Sequence, residues 1–251
     1  EKECQGFPGR DCHRLRERMN GHMNRYSTIL WDVDDTLLDF TYSQEQSLAR
    51  CFRLVGREIT AAQIERYSQI NADFWRRLEL GEITKAELLT GRFEQFFREY
   101  GYEDIDLGRF LGQYQEGLGS IYTYLDDSLA LCRELKGRVS QYVITNGVAG
   151  TQRSKLQLSG LADLMDGIFI SEEIGAPKPQ GAFFAYCLEH IQEKDPARVL
   201  VVGDSLSSDI KGGIQAGLCT CWYRKEGAVN GTGLVPDHEI SHLHEILGLL
   251  E

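Results

Sequence analysis

Short strand-like runs that alternate with helical segments are the feature that most constrains the fold of this 251-residue chain. The runs are rich in β-branched and aromatic residues, and segments with helical periodicity separate the later runs. In chain order, the five runs are TILWDV, VSQYVIT, GIFIS, VLVVG and LCTCWY. Strands that alternate with helices typically form a parallel sheet with helices on both faces. The pattern therefore predicts an α/β fold built on a doubly wound parallel sheet.

A long helical insertion interrupts this alternation. About ninety residues without a strand-like run separate the first two strands, which is too many for one crossover helix. Two capping boxes, Thr60–Gln63 and Thr84–Glu87, each precede apolar residues at helical spacing. We predict an all-helical cap over 41–125, inserted into a Rossmann-like core.

The chain is thus divided into three parts. The core is expected to comprise 26–40 and 126–251, and residues 1–25 are expected to form an N-terminal extension. This extension lacks the sustained apolar stretch of a secretory signal. His238, His242 and His244 show no ligand pattern, and we expect them on a solvated C-terminal tail.

Charge and cysteine content limit the possible partners and compartment. The formal charge is −11, from 27 basic and 38 acidic residues without a basic cluster, which argues against nucleic-acid polymers and anionic membranes as partners. The longest apolar runs have the length of strands rather than of membrane spans. Seven cysteines without a CxxC motif are typical of reduced thiols, so a cytoplasmic location is expected.

Polar side chains follow the carboxyl end of nearly every predicted strand, where open α/β sheets bind their ligands. They belong to four separate segments: Asp32 and Asp34, Thr145 and Asn146, Lys178, and Asp204, Ser205 and Asp209. Asp32 and Asp34 share one face because side chains alternate along a strand. Asp35 points the other way, and we expect it to be solvated or to support a helix.

The chemistry of this set favours a hard cation and a phosphate ester. Carboxylates without a neighbouring imidazole or thiolate suit Mg²⁺ much better than Zn²⁺. A metal among these acids would bind a phosphoryl oxygen, Lys178 would neutralise the other oxygens, and Thr145 would donate a hydrogen bond. One aspartate would remain free to attack phosphorus.

The four segments resemble the signature motifs of the haloacid dehalogenase superfamily of phosphohydrolases, and they occur in the same order. In this sequence they read DVDDT (32–36), ITNG (144–147), APKP (176–179) and GDSLSSD (203–209). Three further stretches resemble the bacterial pyrimidine 5'-nucleotidase subfamily: GRFE (91–94), IFISEEIGAPKP (168–179) and SDIKGGIQAGLCTCW (208–222). That subfamily dephosphorylates nucleoside monophosphates and carries a helical cap after its first motif. The resemblance implies a Mg²⁺-dependent phosphomonoesterase with a small-molecule substrate.

The resemblance also implies a role for each matched residue. Asp32 would be the nucleophile that forms an aspartyl-phosphate, and Asp34 would be the general acid and base. Asp32, the backbone carbonyl of Asp34, and Asp204 would bind the metal. Asp209 would either support the metal or orient Lys178, and Ser205 would assist. Substrate contacts are expected from Thr145, Asn146 and Lys178, and from Trp75 and Arg92 of the cap.

Other functions remain open at this point. A sugar-phosphate phosphatase or a phosphomutase would share the same core motifs, because cap residues select the leaving group. A phospho-acceptor signalling module also presents acids, a threonine and a Lys-Pro pair at strand ends. The long helical insertion and Asp34, two residues after the nucleophile, argue against such a module.

Overall fold

A six-stranded sheet forms the centre of the computed structural model, which describes residues 24–251. The strands are β1 (Thr28–Trp31), β2 (Ser140–Thr145), β3 (Gly167–Ile170), β4 (Val199–Gly203), β5 (Cys219–Tyr223) and β6 (His238–Ile240). Their order is β3-β2-β1-β4-β5-β6, and every neighbouring pair is parallel. The predicted α/β fold class is confirmed, and the predicted extension at 1–25 lies almost wholly outside the described residues.

Ten α-helices accompany the sheet in the described part of the chain. Four of them lie between β1 and β2: α1 (Phe40–Leu54), α2 (Ala61–Glu79), α3 (Lys85–Tyr100) and α4 (Leu107–Ser120). The others follow later in the chain: α5 (Ser128–Leu135), α6 (Ala149–Leu158), α7 (Ser171–Ile174), α8 (Gly181–His190), α9 (Lys211–Gln215) and α10 (Ile246–Leu250). Within residues 24–251, none of the helices combines the length and apolar character needed to cross a bilayer.

Side-chain alternation along the central strands covers both faces of the sheet. Ile29 and Trp31 of β1 belong to one apolar cluster, whereas Leu30, between them, belongs to the cluster on the opposite face. Both clusters consist of buried residues, so β1 is apolar at every position from Ile29 to Trp31. Polar residues that follow this strand therefore lie at the carboxyl edge of the sheet.

The helices α1–α4 form the inserted cap and bury a core of their own. Its buried members are mainly aromatic, and include Phe52, Tyr67, Phe93, Phe96, Phe110 and Tyr114. Both predicted capping boxes are present, at the starts of α2 and α3. An antiparallel bridge between Leu38 and Tyr124 joins the two chain segments that lead into and out of the cap.

The prediction of a solvated tail is wrong at His238. This residue begins β6 and pairs with Cys221 of β5. Its Nε2 lies 2.6 Å from the hydroxyl of Tyr26, while the side chain of His242 remains 75% exposed. The run His238–Ile240 carries a central glutamate and is only three residues long, so its sequence has no apolar signal; pairing at the sheet edge makes it a strand.

Candidate active site

Pairing of β1 with two neighbours brings three strand ends together. Trp31, the last residue of β1, lies opposite Val143 of β2 and Val202 of β4. Asp32 therefore leaves the sheet between the ends of two other strands, close to Thr145 and Asp204. This is the position beside the reversal of strand order, where doubly wound folds bind ligands.

Lys178 forms the buried electrostatic centre of this edge. Its Nζ lies 2.6 Å from Oδ1 of Asp32 and 2.7 Å from Oδ1 of Asp209, and it also donates to the carbonyl of Ile144 at 3.0 Å. Burial disfavours the charge on Lys178, but the two carboxylates outweigh this effect and raise its pKa. The ammonium is therefore held as a fixed positive charge.

The acids outnumber the cations that neutralise them. One oxygen from each of Asp32, Asp204 and Asp209 lies within 4.8 Å of the others. Burial raises the pKa of Asp32 to about 7, although Lys178 opposes the shift. Burial also raises the pKa of Asp204 well above its usual range, against the effect of Lys225. Three hard oxygen donors whose negative charge is only partly offset by Lys178 and Lys225 fit a divalent cation such as Mg²⁺.

Asp209 combines two contacts that explain its place in this cluster. Its Oδ1 accepts from Lys178, and its Oδ2 accepts from the backbone N–H of Ser205 at 3.2 Å. Because these contacts bring Asp209 close to Lys178, the geometry favours its expected role in orienting the lysine. Ser205 lines the cavity and accepts a hydrogen bond from the backbone of Ser208.

The motif after β2 holds the Lys178 loop in position. The amide of Asn146 makes a two-way contact with the backbone of Lys178, accepting from its N–H and donating to its carbonyl, each at 2.9 Å. Thr145 is buried, and its hydroxyl accepts from the backbone N–H of Gly147 at 3.1 Å. Both residues line the cavity, and Asn146 additionally fixes the loop that carries the lysine.

Asp34 is held by two residues that the sequence did not single out. Its Oδ1 lies 2.5 Å from Nζ of Lys155 and its Oδ2 accepts from Nε2 of Gln152 at 2.6 Å. Both partners are buried residues of α6. A lysine within an amphipathic segment is usually on the surface, so no local signal marked Lys155.

A second unpredicted cation lies beyond the end of β5. Nζ of Lys225 is 2.8 Å from Oδ2 of Asp35 and 3.4 Å from Oδ2 of Asp204. Asp35 also accepts from the backbone N–H of Phe40 at the start of α1, consistent with the expected helix-supporting role. Lys225 follows a strand end, as do the other site residues, and this position was the signal that could have identified it.

The cap closes this edge of the sheet into a cavity of 360 Å³. Asp32, Asp34, Lys178 and Asp204 lie on the core side, and the cap contributes Phe40, Thr41, Gln44, Ser68, Asn71, Ala72, Trp75 and Glu79. Trp75 thus lines the cavity, as expected of a substrate-contacting residue. Arg92 does not: it is 2% exposed and lies behind Asn71, to which it donates a hydrogen bond. In this position Arg92 does not reach the cavity, so the geometry does not support the expected direct contact of Arg92 with substrate.

Two polar contacts connect the tip of the α2–α3 hairpin to the core. Lys85 donates to the backbone carbonyl of Asn146, and Ser207 donates to Oε2 of Glu79 at 2.6 Å. Lys85 also lies over the ring of Trp75, 5.3 Å from its centroid. Burial lowers the pKa of Lys85 to about 8 and raises that of Glu79.

The lowered pKa of Lys85 predicts a pH-dependent stability. Between about pH 8 and 10.5 the unfolded chain binds a proton at this lysine that the folded protein releases, so stability rises with pH across this window. The free energy of unfolding from urea titrations should therefore rise more steeply with pH in the wild type than in Lys85→Met. Parallel slopes in the two proteins would contradict the prediction.

Known proteins resemble this chain over nearly all of its length. Residues 26–217 match the family model described as haloacid dehalogenase-like hydrolase. The magnesium-bound crystal structure of the HAD-hydrolase YfnB from Bacillus subtilis is 36% identical, with a TM-score of 0.86 over 90% of this chain and 99% of that one.

Two relatives are named for an activity. The pyrimidine 5'-nucleotidase YjjG of Escherichia coli is 34% identical over 90% of this chain and 98% of its own. The pyrimidine 5'-nucleotidase PynA of Streptococcus pneumoniae is 33% identical over 90% and 95%. Because the family model and these relatives cover most of the chain, it belongs, as the sequence predicted, to the haloacid dehalogenase-like hydrolases and is a phosphoric monoester hydrolase.

Proposed function

We propose that this protein is a Mg²⁺-dependent phosphomonoesterase that hydrolyses nucleoside 5'-monophosphates, preferably pyrimidine nucleotides, through an aspartyl-phosphate. One observation carries the proposal: the carboxylate of Asp32 lies beside Lys178 and near further acids in a cavity under a helical cap. The names of the relatives YjjG and PynA support nucleotides as the substrate class.

The metal would be held by Asp32 and Asp204, with the backbone carbonyl of Asp34 as a further ligand and Asp209 and Ser205 in support. The donor set fits Mg²⁺ because it consists of oxygen atoms. When bound, Mg²⁺ would offset the charge of the acids and attract a phosphoryl oxygen. The magnesium-bound structure of YfnB supports this choice of metal.

In the first half of the proposed reaction, an oxygen of Asp32 attacks phosphorus and the bond from phosphorus to the leaving oxygen breaks. Lys178, whose Nζ lies beside Asp32, would neutralise charge on the phosphoryl oxygens, and Thr145 and Asn146 line the same cavity. Asp34 gives a proton to the leaving nucleoside oxygen. For that transfer, one oxygen of Asp34 must give up its hydrogen bond to Lys155 or Gln152 and contact the leaving oxygen of the substrate instead.

In the second half, water attacks the phosphorus of the aspartyl-phosphate and Asp34 takes its proton. The bond between phosphorus and the Asp32 oxygen breaks, which releases phosphate and restores the carboxylate. A cap that covers the cavity limits access of other water and favours small substrates. We accordingly propose a small-molecule phosphomonoester as the partner, with no role for a nucleic-acid polymer or a membrane.

A cytoplasmic location is part of the same proposal. The cysteines within residues 24–251 are all free thiols, namely Cys51, Cys132, Cys187, Cys219 and Cys221. Free thiols are typical of proteins in reducing compartments.

The test is the release of phosphate from a panel of phosphomonoesters, with Mg²⁺ and with EDTA. The panel compares the pyrimidine nucleotides UMP, dUMP, dTMP and CMP with AMP, hexose phosphates and ribose 5-phosphate. We expect pyrimidine nucleotides to give the highest kcat/KM and EDTA to abolish turnover. A preference for hexose phosphates would refute the nucleotidase proposal and favour the sugar-phosphate alternative, while equal turnover in EDTA would refute the metal requirement.

A further inference from the structure

A polar wall on the cap side of the cavity is not used by the phosphate chemistry. Gln44 of α1 and Ser68 and Asn71 of α2 line the cavity together with the flat side chains of Phe40 and Trp75. Gln44 and Asn71 are nevertheless almost fully buried, 3% and 4% exposed. Polar groups buried to this degree are normally hydrogen-bonded, so their partners define what the wall can offer a ligand.

These residues form one continuous chain of hydrogen bonds. Arg92 donates from its NH1 nitrogen to Oδ1 of Asn71 at 2.6 Å, and Asn71 donates from Nδ2 to Oε1 of Gln44 at 2.9 Å. Gln44 then donates from Nε2 to the hydroxyl of Ser68 at 2.7 Å. Ser68 in turn donates to the backbone carbonyl of Ile64 at 3.1 Å.

The direction of this chain is fixed at both ends. A guanidinium can only donate and a backbone carbonyl can only accept, so every proton in the chain points from Arg92 towards Ile64. Reversing either amide would set oxygen against oxygen or N–H against N–H. The buried position of Arg92, over the rings of Phe93 and Tyr114, holds the donor end in place.

One N–H group on each amide has no partner among the described residues. Each side-chain amide carries two N–H donors, and Asn71 and Gln44 each use one of them within the chain. A buried N–H without an acceptor is less well tolerated than a carbonyl with a spare lone pair. The wall therefore presents two spare N–H donors, one from each amide, to acceptor atoms in the cavity.

We propose that Gln44 and Asn71 bind the carbonyl oxygens of a planar leaving group, the base of the nucleotide, and that Arg92 is a positioning residue that sets the direction of their hydrogen bonds. The proposal rests on the nucleotidase function proposed above. Phe40 and Trp75 line the same cavity and supply flat apolar surface for the faces of such a ring. A base with two ring carbonyls, as in UMP, matches the donors better than CMP, which carries an amino group in place of one carbonyl.

The matched substitutions Asn71→Asp and Gln44→Glu test this assignment because each replaces an amide donor by an acceptor of nearly the same shape. Asn71→Asp also keeps an acceptor for Arg92. We expect the ratio of kcat/KM for UMP to that for ribose 5-phosphate, which has no base, to fall at least about tenfold. The ratio for CMP to UMP should rise. Gln69→Glu, on an exposed position of the same helix, adds the same charge and should leave both ratios unchanged.

The role of Arg92 is tested by two substitutions that differ in hydrogen-bonding direction. Arg92→Lys retains a group that can only donate, and should keep the discrimination between UMP and CMP. Arg92→Gln can either donate or accept, so it should weaken that discrimination. A purely structural role for Arg92 predicts that both changes affect UMP and CMP equally, and this result would overturn the positioning role.

The outcomes separate this inference from the function on which it rests. If the wild type hydrolyses UMP no better than ribose 5-phosphate, the nucleotidase proposal itself fails. If the wild type prefers UMP but Asn71→Asp and Gln44→Glu both keep its preference for UMP over ribose 5-phosphate, only the assignment of Gln44 and Asn71 to base recognition is overturned. Equal loss of turnover on UMP and ribose 5-phosphate in both variants would also overturn it, because the proposal confines the two residues to base recognition.

Discussion

Replacing Asp32 with asparagine should reduce kcat for phosphate release by at least about 10⁴-fold, on the scale seen when catalytic nucleophiles are removed. The amide has nearly the same shape, its single oxygen can still accept from Lys178, which lies 2.6 Å from Oδ1, and its N–H can donate to the hydroxyl of Thr36. However, an amide oxygen is a poor nucleophile towards phosphorus, and no acyl phosphate can form. The fold should therefore remain intact while the covalent step is lost.

The measurement is single-turnover and steady-state phosphate release, with acid-quenched protein assayed for bound labelled phosphate. The wild type should show a transient phosphoenzyme, and Asp32→Asn should show none. Asp163→Asn, the same chemical change at an exposed residue, is the matched control. Turnover of Asp32→Asn within tenfold of the wild type would rule out the proposed nucleophile, whereas a wild-type phosphoenzyme that persists for many minutes would favour a signalling module.

Replacing Lys178 with methionine should be the most destabilising single change at the site, and should also abolish turnover. Removal of the ammonium leaves Asp32 and Asp209 buried without the cation that lies 2.6 and 2.7 Å from them. Breaking a buried ion pair by removing one partner typically costs about 3 to 5 kcal/mol. We expect a loss of this size in the free energy of unfolding.

Urea unfolding in EDTA measures this loss without a metal ion that could replace the lysine. Lys136→Met serves as the control because Lys136 is exposed and far along the chain from the acids. A change of less than about 1 kcal/mol in Lys178→Met, close to the typical effect of a point substitution, would show that the acids do not depend on the lysine.

The parts of the fold that were predictable are those with a local pattern. The strands β1 to β5 each have an apolar run, and α2 and α3 each begin with a capping box whose two hydrogen bonds involve residues three positions apart. The strand β6 has no such pattern, because its pairing with β5 rather than its composition makes it a strand. His238 was misassigned for this reason.

The same division applies to the site. Asp32, Lys178 and Asp204 were identified because each follows a strand end or lies in a strand-end loop, and parallel strands bring such ends to one edge. The residues that hold Asp34 lie on a helix and not at a strand end. Lys155 is 121 positions away from Asp34 in the chain, and Gln152 is 118 positions away. Nothing in the local sequence of α6 shows that a lysine and a glutamine there face an aspartate after β1.

The sequence alone therefore determined the α/β class, the helical insertion and the set of acids and lysine at the sheet edge, because strand ends and helix caps are encoded by neighbouring residues. The tertiary structure decided which groups neutralise those acids, that Arg92 lies behind the cavity wall rather than in it, and which cap amides line the cavity. These features depend on the packing of the cap against the core, and packing between distant segments leaves no periodic signal in a single chain.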